Sequence, residues 1–124
     1  MLEGFDDVDD VNDKELRARA KAVNLERLVG LLPLFRVFPD VRRLILFGSR
    51  ARGDNQERSD IDLAVDAPDM DILTWDKLCS YIADNSNTLL PIDLIWLQHA
   101  PVGLANRIQS EGVVMFERKD KSIS

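Results

Sequence analysis

The stretch from residue 60 to residue 66 alternates strictly along the chain, and this alternation constrains the fold more than any other feature. A period of two is typical of a β-strand with one face in the core, because successive side chains point to opposite faces. One face carries Ile61, Leu63 and Val65, and the other carries Asp60, Asp62, Ala64 and Asp66. The sequence therefore predicts a sheet with carboxylates on the side of one strand that faces away from these apolar residues.

Apolar runs predict three more strands. Residues 41–47 form a short run rich in branched side chains, which is typical of a buried strand. A second run spans Leu90 to Leu97, and a short last strand spans Val113 to Phe116. The strands are separated by stretches long enough to hold helices.

The first helix is predicted near the N-terminus. Asn12 with Glu15 three positions later is a capping-box pattern for a helix start. Pro33 interrupts the apolar periodicity that follows and should kink or end the helix. The sequence leaves open whether residues 14–38 form one bent helix or two short ones.

Two further helices complete the pattern. One follows Pro68, and the other runs from Pro101, which suits a first turn, to Gly112, which suits a stop. The apolar stripe of the first of these consists of Ile72, Trp75, Leu78, Cys79 and Ile82. This order of elements predicts an α/β or α+β protein with a small mixed β-sheet and helices packed on one face.

Length and composition exclude several classes of protein. The chain has 124 residues, enough for about one domain, and it contains no apolar run long enough to span a membrane. Its acidic N-terminus lacks the apolar region of a signal peptide. Its single cysteine, Cys79, cannot form an internal disulfide, and no Cys/His cluster indicates zinc. We therefore expect a cytoplasmic protein without a membrane contact.

The net charge of −6 is concentrated at the N-terminus. Residues 1–15 hold seven acidic residues and one basic residue, whereas the rest of the chain holds 15 of each. The body has no basic excess, which argues against stable binding to long nucleic acids. We expect residues 1–13 to be an acidic tail, either merely solvated or a docking arm for a basic partner, and residues 14–124 to be the domain.

A Gly48-Ser49 turn follows the predicted strand at residues 41–47. Such a turn exposes backbone N–H groups and a hydroxyl at the end of the strand, and a helix opening there would add to an anion site. The stretch is not a P-loop, since it lacks the Gly-Lys-Ser/Thr ending of that motif. Taken alone, a Gly-Ser turn is only a turn.

Three aspartates near this turn are candidate metal ligands. Asp60 and Asp62 are spaced to share a strand face, where two carboxylates can bracket a pair of divalent ions. Asp93 lies inside an apolar run, where an acid is costly unless it is paired or bound to metal. Asp-x-Asp also occurs at residues 7–9 and 69–71, so the pattern gains weight only from its strand setting and the turn upstream. Together these features describe a metal-assisted phosphoryl or nucleotidyl transfer site.

The combination resembles the minimal nucleotidyltransferases of the DNA polymerase beta superfamily over about residues 24–118. The family pattern is Gly-Ser, about ten residues, Asp-x-Asp and a distant third Asp on a strand. This chain carries it as Gly48-Ser49-Arg50-Ala51-Arg52-Gly53, Ser59-Asp60-Ile61-Asp62 and Asp93. The acidic N-terminal extension is not part of this pattern.

The resemblance implies a nucleotidyltransferase fold and a Mg²⁺- and ATP-dependent enzyme. Gly48 and Ser49 would bind the triphosphate, and Arg50 is a further candidate contact to the nucleotide. Asp60 and Asp62 would hold two Mg²⁺ ions, and Asp93 would complete the metal site and help to activate the acceptor hydroxyl. Small bacterial members resemble the MNT antitoxins of MNT–HEPN pairs, which implies AMP transfer from ATP to a tyrosine of a HEPN toxin.

Two other functions stay open at this stage. A small-molecule nucleotidyltransferase, for example one that modifies an aminoglycoside, would usually need a second domain. A non-catalytic subunit could neutralise its partner by masking it, although the three aspartates argue against that. The chain is short for a site that must enclose both nucleotide and acceptor, so a second copy or a different protein should bring the acceptor, and we favour a different protein. Homo- and hetero-oligomers both remain open.

Overall fold

The computed structural model describes residues 30–54, 56, 59–86 and 90–118. The acidic tail and residues 14–29 of the predicted first helix therefore lie outside the described residues. The helices in the described part are α1 (Leu32–Arg36), α2 (Ser49–Arg52), α3 (Ile72–Asn85) and α4 (Val102–Glu111), with a 3₁₀ turn at Leu97–His99. The strands are β1 (Arg43–Phe47), β2 (Ile61–Asp66), β3 (Ile92–Trp96) and β4 (Val113–Glu117).

The four strands form one mixed sheet in the order β3-β2-β1-β4. β1 is antiparallel to both β2 and β4, whereas β2 and β3 are parallel. The parallel pair is joined through α3, because a parallel connection has to cross back over the sheet. The predicted small mixed sheet of an α/β protein is thereby confirmed.

The apolar residues of the strands divide between two cores. Alternate positions such as Leu44, Leu46 and Leu63 pack with α1 and α3 on one face. Ile45, Phe47 and Ala64 point to the other face and pack with Ile108 of α4. The prediction that the helices pack on one face is therefore wrong. The apolar residues at successive positions of β1 require cover on both faces of the sheet, but the apolar stripe of a helix does not show which face that helix covers.

Prolines and side-chain caps set the helix ends. Pro33 lies in the first turn of α1, where its fixed φ and missing N–H are tolerated. Most of the predicted helix that it was expected to kink or end lies outside the described residues. Asp71 caps α3 by accepting a hydrogen bond from the backbone N–H of Thr74 at 2.8 Å. Ile72, which we expected on the buried stripe, lies in the first turn of α3 and is 62% exposed.

None of the helices in the described residues is both long and apolar enough to cross a lipid bilayer.

Candidate active site

The Gly-Ser turn lies where β1 ends. Gly48 has φ +78° and ψ −156°, a conformation that is open essentially to glycine alone. A helix does begin at Ser49, but it is a single turn of four residues, Ser49–Arg52, with Gly53 as its C-cap. The turn thus reverses the chain immediately after a buried strand and leaves Ser49 only partly buried.

Gly48 lies against the carboxylate of Asp62. A Cβ built on Gly48 would overlap Asp62 Oδ2 and would lie 3.2 Å from Asp62 Cγ. The absence of a side chain at residue 48 therefore serves both the backbone conformation and the close approach of the carboxylate. The Gly-Ser turn and the Asp-x-Asp segment, eleven residues apart in sequence, meet at this contact.

The structure brings together the three aspartates on two neighbouring strands. Asp62 and Asp93 are partners in the register of the parallel strands β2 and β3. Asp60 precedes the first residue of β2 and is exposed, as is Asp93, whereas Asp62 is half-buried. Asp93 thus avoids the burial that made it costly in the sequence, because β3 is an edge strand and its side chain faces solvent.

The electrostatics of Asp62 reflect this crowding. Burial raises the pKa of Asp62, and the neighbouring charges of Asp93 and Asp60 raise it further. The nearby cation of Arg52 lowers the pKa of Asp62. The protein therefore holds a carboxylate where its ionised form is disfavoured, which a divalent cation at the same place would reverse.

The carboxylate oxygens of the three aspartates suit a magnesium ion better than a metal whose ligands all come from the protein. Within the described residues no three His, Cys, Asp or Glu side chains form a ready-made metal cluster. Mg²⁺ usually keeps several waters and is bound through one or two carboxylates together with substrate phosphates. Mutually repelling aspartate oxygens beside an open turn match that requirement.

The two arginines of the turn differ sharply. Arg50 is 4% exposed, and its guanidinium donates hydrogen bonds to the backbone carbonyl of Ser59. Arg52 is solvent-accessible and forms ion pairs with Asp54 at 3.2 Å and Glu111 at 3.6 Å. The sequence did not predict the pairing with Glu111, because the partner lies 59 residues away at the end of α4 and no local pattern marks it.

Trp75 and Trp96 belong to the apolar core on the face of the sheet that α3 covers. Their rings stack at 5.2 Å between centroids, and Trp96 also stacks on His99. Trp96 donates a hydrogen bond from its indole N–H to the carbonyl of Ala67, at the opposite end of β3 from Asp93. Cys79 is half-buried, and burial raises the pKa of its thiol, which disfavours the reactive thiolate.

A mixed sheet that gathers aspartates beside a Gly-Ser turn defines the nucleotidyltransferase class. The family model for polymerase beta nucleotidyltransferases matches residues 31–121, and the chain belongs to this family. The match begins at α1 and extends beyond β4, so it includes all the elements described above. No curated protein sequence matches the chain.

Solved structures of toxin–antitoxin complexes are similar to this chain. A toxin–antitoxin complex with AMP-PNP contains a chain that is 26% identical, with 75% of this chain and 73% of that one covered and a TM-score of 0.56. An MntA–HepT complex and a complex of a tri-AMPylated Shewanella oneidensis HEPN toxin with MNT antitoxin each give 25% identity, with coverages of 73% and 70% and a TM-score of 0.55. The structural neighbours of this chain thus include MNT antitoxins from toxin–antitoxin complexes.

Proposed function

We propose that this protein is a Mg²⁺-dependent adenylyltransferase antitoxin that transfers AMP from ATP to a tyrosine of a HEPN-type toxin. The observation that carries the proposal is the pairing of Asp62 with Asp93 beside the Gly48 turn. The similarity to MNT antitoxins supports the choice of acceptor, since one of those complexes holds a tri-AMPylated toxin and another holds AMP-PNP.

The residues of the turn and the three aspartates would have different roles. Gly48 and Ser49 would bind the triphosphate through the backbone and the Ser49 hydroxyl. Asp60, Asp62 and Asp93 would hold two Mg²⁺ ions, and these ions, when bound, would supply positive charge next to the phosphates and the acceptor hydroxyl. The phosphate that faces this turn would then lie beside the aspartates of β2 and β3.

The reaction is a displacement at the α-phosphorus of ATP. The tyrosine oxygen of the toxin forms a bond to that phosphorus, and the bond between the phosphorus and the β-phosphate oxygen breaks, so that pyrophosphate leaves. Asp93 is our candidate to orient the phenol and accept its proton, because it is exposed at the edge of the sheet. The modified tyrosine carries an added phosphodiester charge and an adenosine, which would repel RNA phosphates and block access.

The acceptor should come from another chain. β3 carries Asp93 and is an edge strand of the sheet, with β2 on one side only. This leaves the aspartates open to a partner on that side, whereas α4 packs over Ile45 and Phe47. A small-molecule acceptor would need a closed pocket that buries most of its surface. A protein acceptor can instead cover the open side of the site with its own residues.

The test is an AMP-transfer assay on the pair of proteins. The chain is incubated with its HEPN-type partner, ATP and Mg²⁺, the two proteins are separated under denaturing conditions, and the toxin is weighed by intact mass spectrometry. We expect the toxin to gain mass in AMP-sized steps with the wild type and to gain none with Asp62→Asn. Peptide mapping should locate the AMP on tyrosine. An unmodified toxin that is inhibited only while bound would instead support the masking function.

A further inference from the structure

Arg50 is a buried cation next to the proposed triphosphate turn. Among the residues that the structure describes, it is the charged side chain with the lowest exposure, at 4%. Removing a cation from water is costly unless its hydrogen bonds are satisfied. The hydrogen bonds that compensate for the burial of Arg50 therefore show what this side chain does.

The contacts of Arg50 point across the site to the loop before β2. Its Nε and Nη2 donate to the carbonyl oxygen of Ser59, at 3.1 Å and 2.8 Å. Two donors of a planar guanidinium on one acceptor fix both distance and orientation, which the single ammonium of a lysine does not. Ser59 is in turn bonded to Gln56, since its hydroxyl accepts from the N–H of Gln56 at 2.9 Å and its own N–H donates to the carbonyl of Gln56 at 3.1 Å.

These bonds hold one side of Asp60. Asp60 lies between Ser59 and the first residue of β2, so the strand ladder does not include it. On its other side, the N–H of Ile61 donates to the carbonyl of Pro91 at 2.9 Å. Hydrogen bonds thus fix the chain on both sides of Asp60, and Arg50 donates those on the Ser59 side.

We propose that Arg50 is a positioning residue that holds Ser59, and through it Asp60, at a fixed place relative to the Gly48-Ser49 turn. This differs from the nucleotide contact that the sequence predicts for Arg50. The inference rests on the proposed function, since it assigns Asp60 to the metal site. It predicts that the geometry of the guanidinium matters as well as its charge.

The experiment compares Arg50→Lys, which keeps the charge, with Arg50→Gln, which removes it. Arg43→Gln is the matched control, because Arg43 is also partly buried and bonds Asp66 through Nε at the far end of the same strand pair. Binding of Mg²⁺ with AMP-PNP is measured by calorimetry on the isolated chain, and kcat, KM for ATP and the half-saturating Mg²⁺ concentration are measured in the AMP-transfer assay. Thermal unfolding of all variants is recorded in parallel.

We expect both Arg50 variants to raise the half-saturating Mg²⁺ concentration and lower kcat by about tenfold or more, as is typical when a residue supporting a metal ligand is removed. KM for ATP at saturating Mg²⁺ should change less than about threefold in both variants. Arg43→Gln should lower the unfolding temperature and leave the Mg²⁺ dependence as in the wild type.

Three results would overturn the inference. If Arg50→Lys behaves as the wild type while Arg50→Gln raises KM for ATP, Arg50 binds phosphate through its charge. If neither variant changes the Mg²⁺ dependence, Asp60 does not depend on Arg50. If both variants unfold while Arg43→Gln stays folded, Arg50 is a residue of general stability. The calorimetry needs no toxin, and its affinities for AMP-PNP and for Mg²⁺ can replace KM for ATP and the half-saturating Mg²⁺ concentration in these comparisons. It therefore tests the role of Arg50 even if the wild type transfers no AMP and the proposed function fails.

Discussion

Asp62 and Asp93 are register partners on two parallel strands, so their Cα atoms lie across one strand spacing of about 4.8 Å. Their charges repel, and the resulting rise in the pKa of Asp62 adds to the effect of burial. Like charges placed directly opposite each other on a sheet are destabilising. Without a cation the pair therefore lowers the stability of the folded protein, a cost that the proposed metal site accounts for.

Asp62→Asn should abolish AMP transfer and stabilise the metal-free protein. We expect transfer to fall more than about 100-fold, because the removal of supporting residues alone costs about 10–100-fold. The neutral amide removes the repulsion with Asp93, so the unfolding temperature in the presence of a chelator should rise above that of the wild type. Transfer is measured by intact mass and stability by thermal unfolding.

The gain in stability from Asp62→Asn should depend on pH. The pKa of Asp62 is higher in the folded than in the unfolded protein. The contribution of Asp62 to the stability of the wild type is therefore fully present below the unfolded pKa, about 3.9, and is lost as the pH rises through the folded pKa. The variant should therefore exceed the wild type at pH 7 and lose that advantage as the pH falls toward 4. Asp69→Asn, in an exposed turn, is the control. Normal transfer by Asp62→Asn would contradict the metal assignment.

Gly48→Ala should impair both folding and the metal site. A non-glycine residue in this backbone region costs about 1–3 kcal/mol, and the added Cβ would also displace the Asp62 carboxylate. Gly53→Ala is the matched control, because Gly53 also has a positive φ of 88° but has no atom within 4 Å of a built Cβ. Gly53→Ala should lower the unfolding temperature with unchanged Mg²⁺ dependence. Equal Mg²⁺ dependence in both variants would show that the contact with Asp62 is unimportant.

Ser49→Ala should weaken nucleotide binding more than it changes stability. A hydrogen bond to a charged group is worth about 1.5–3 kcal/mol, and Ser49 is only partly buried next to Gly48, the residue that contacts Asp62. Calorimetric titration with AMP-PNP and Mg²⁺ measures the effect. A fall of many degrees in the unfolding temperature with unchanged affinity would make Ser49 a structural turn residue.

Much of the fold follows from local sequence patterns. The alternation in β2 and the apolar run in β1 specify strands because side-chain period and burial are directly encoded there. The packing of α4 on the second face could not be predicted in this way. Ile45 and Ile108 meet only in three dimensions, and the apolar stripe of a helix does not say which face of the sheet it covers.

In the candidate site, too, local sequence patterns predict some features, and others depend on contacts that form only in the folded chain. The proximity of Asp60, Asp62 and Asp93 could be predicted because they lie on or beside strands and stand out as acids near apolar runs, whereas their role as metal ligands stays a prediction. The burial of Arg50 was not, since an arginine at a turn is ordinarily solvated and its acceptor is a backbone carbonyl that carries no sequence signal. The contact of Gly48 with Asp62 likewise depends on the antiparallel register of β1 and β2, in which Phe47 pairs with Asp62.

The last prediction concerns the start of α3, away from the site. Hydrogen bonds from the side chain and backbone N–H of Thr74 lower the pKa of Asp71. A lowered folded pKa means that the contribution to stability is present above the unfolded pKa, about 3.9, and is lost as the pH falls through the folded value. Asp71→Ala should therefore lower the unfolding temperature at pH 7, and the difference from the wild type should shrink below pH 4.

Asp71→Asn separates charge from capping, since asparagine is also a good N-cap: its unfolding temperature should lie closer to that of the wild type at pH 7. A deficit of Asp71→Ala that stays constant from pH 7 to pH 3 would mean that the charge of Asp71 plays no part in capping α3.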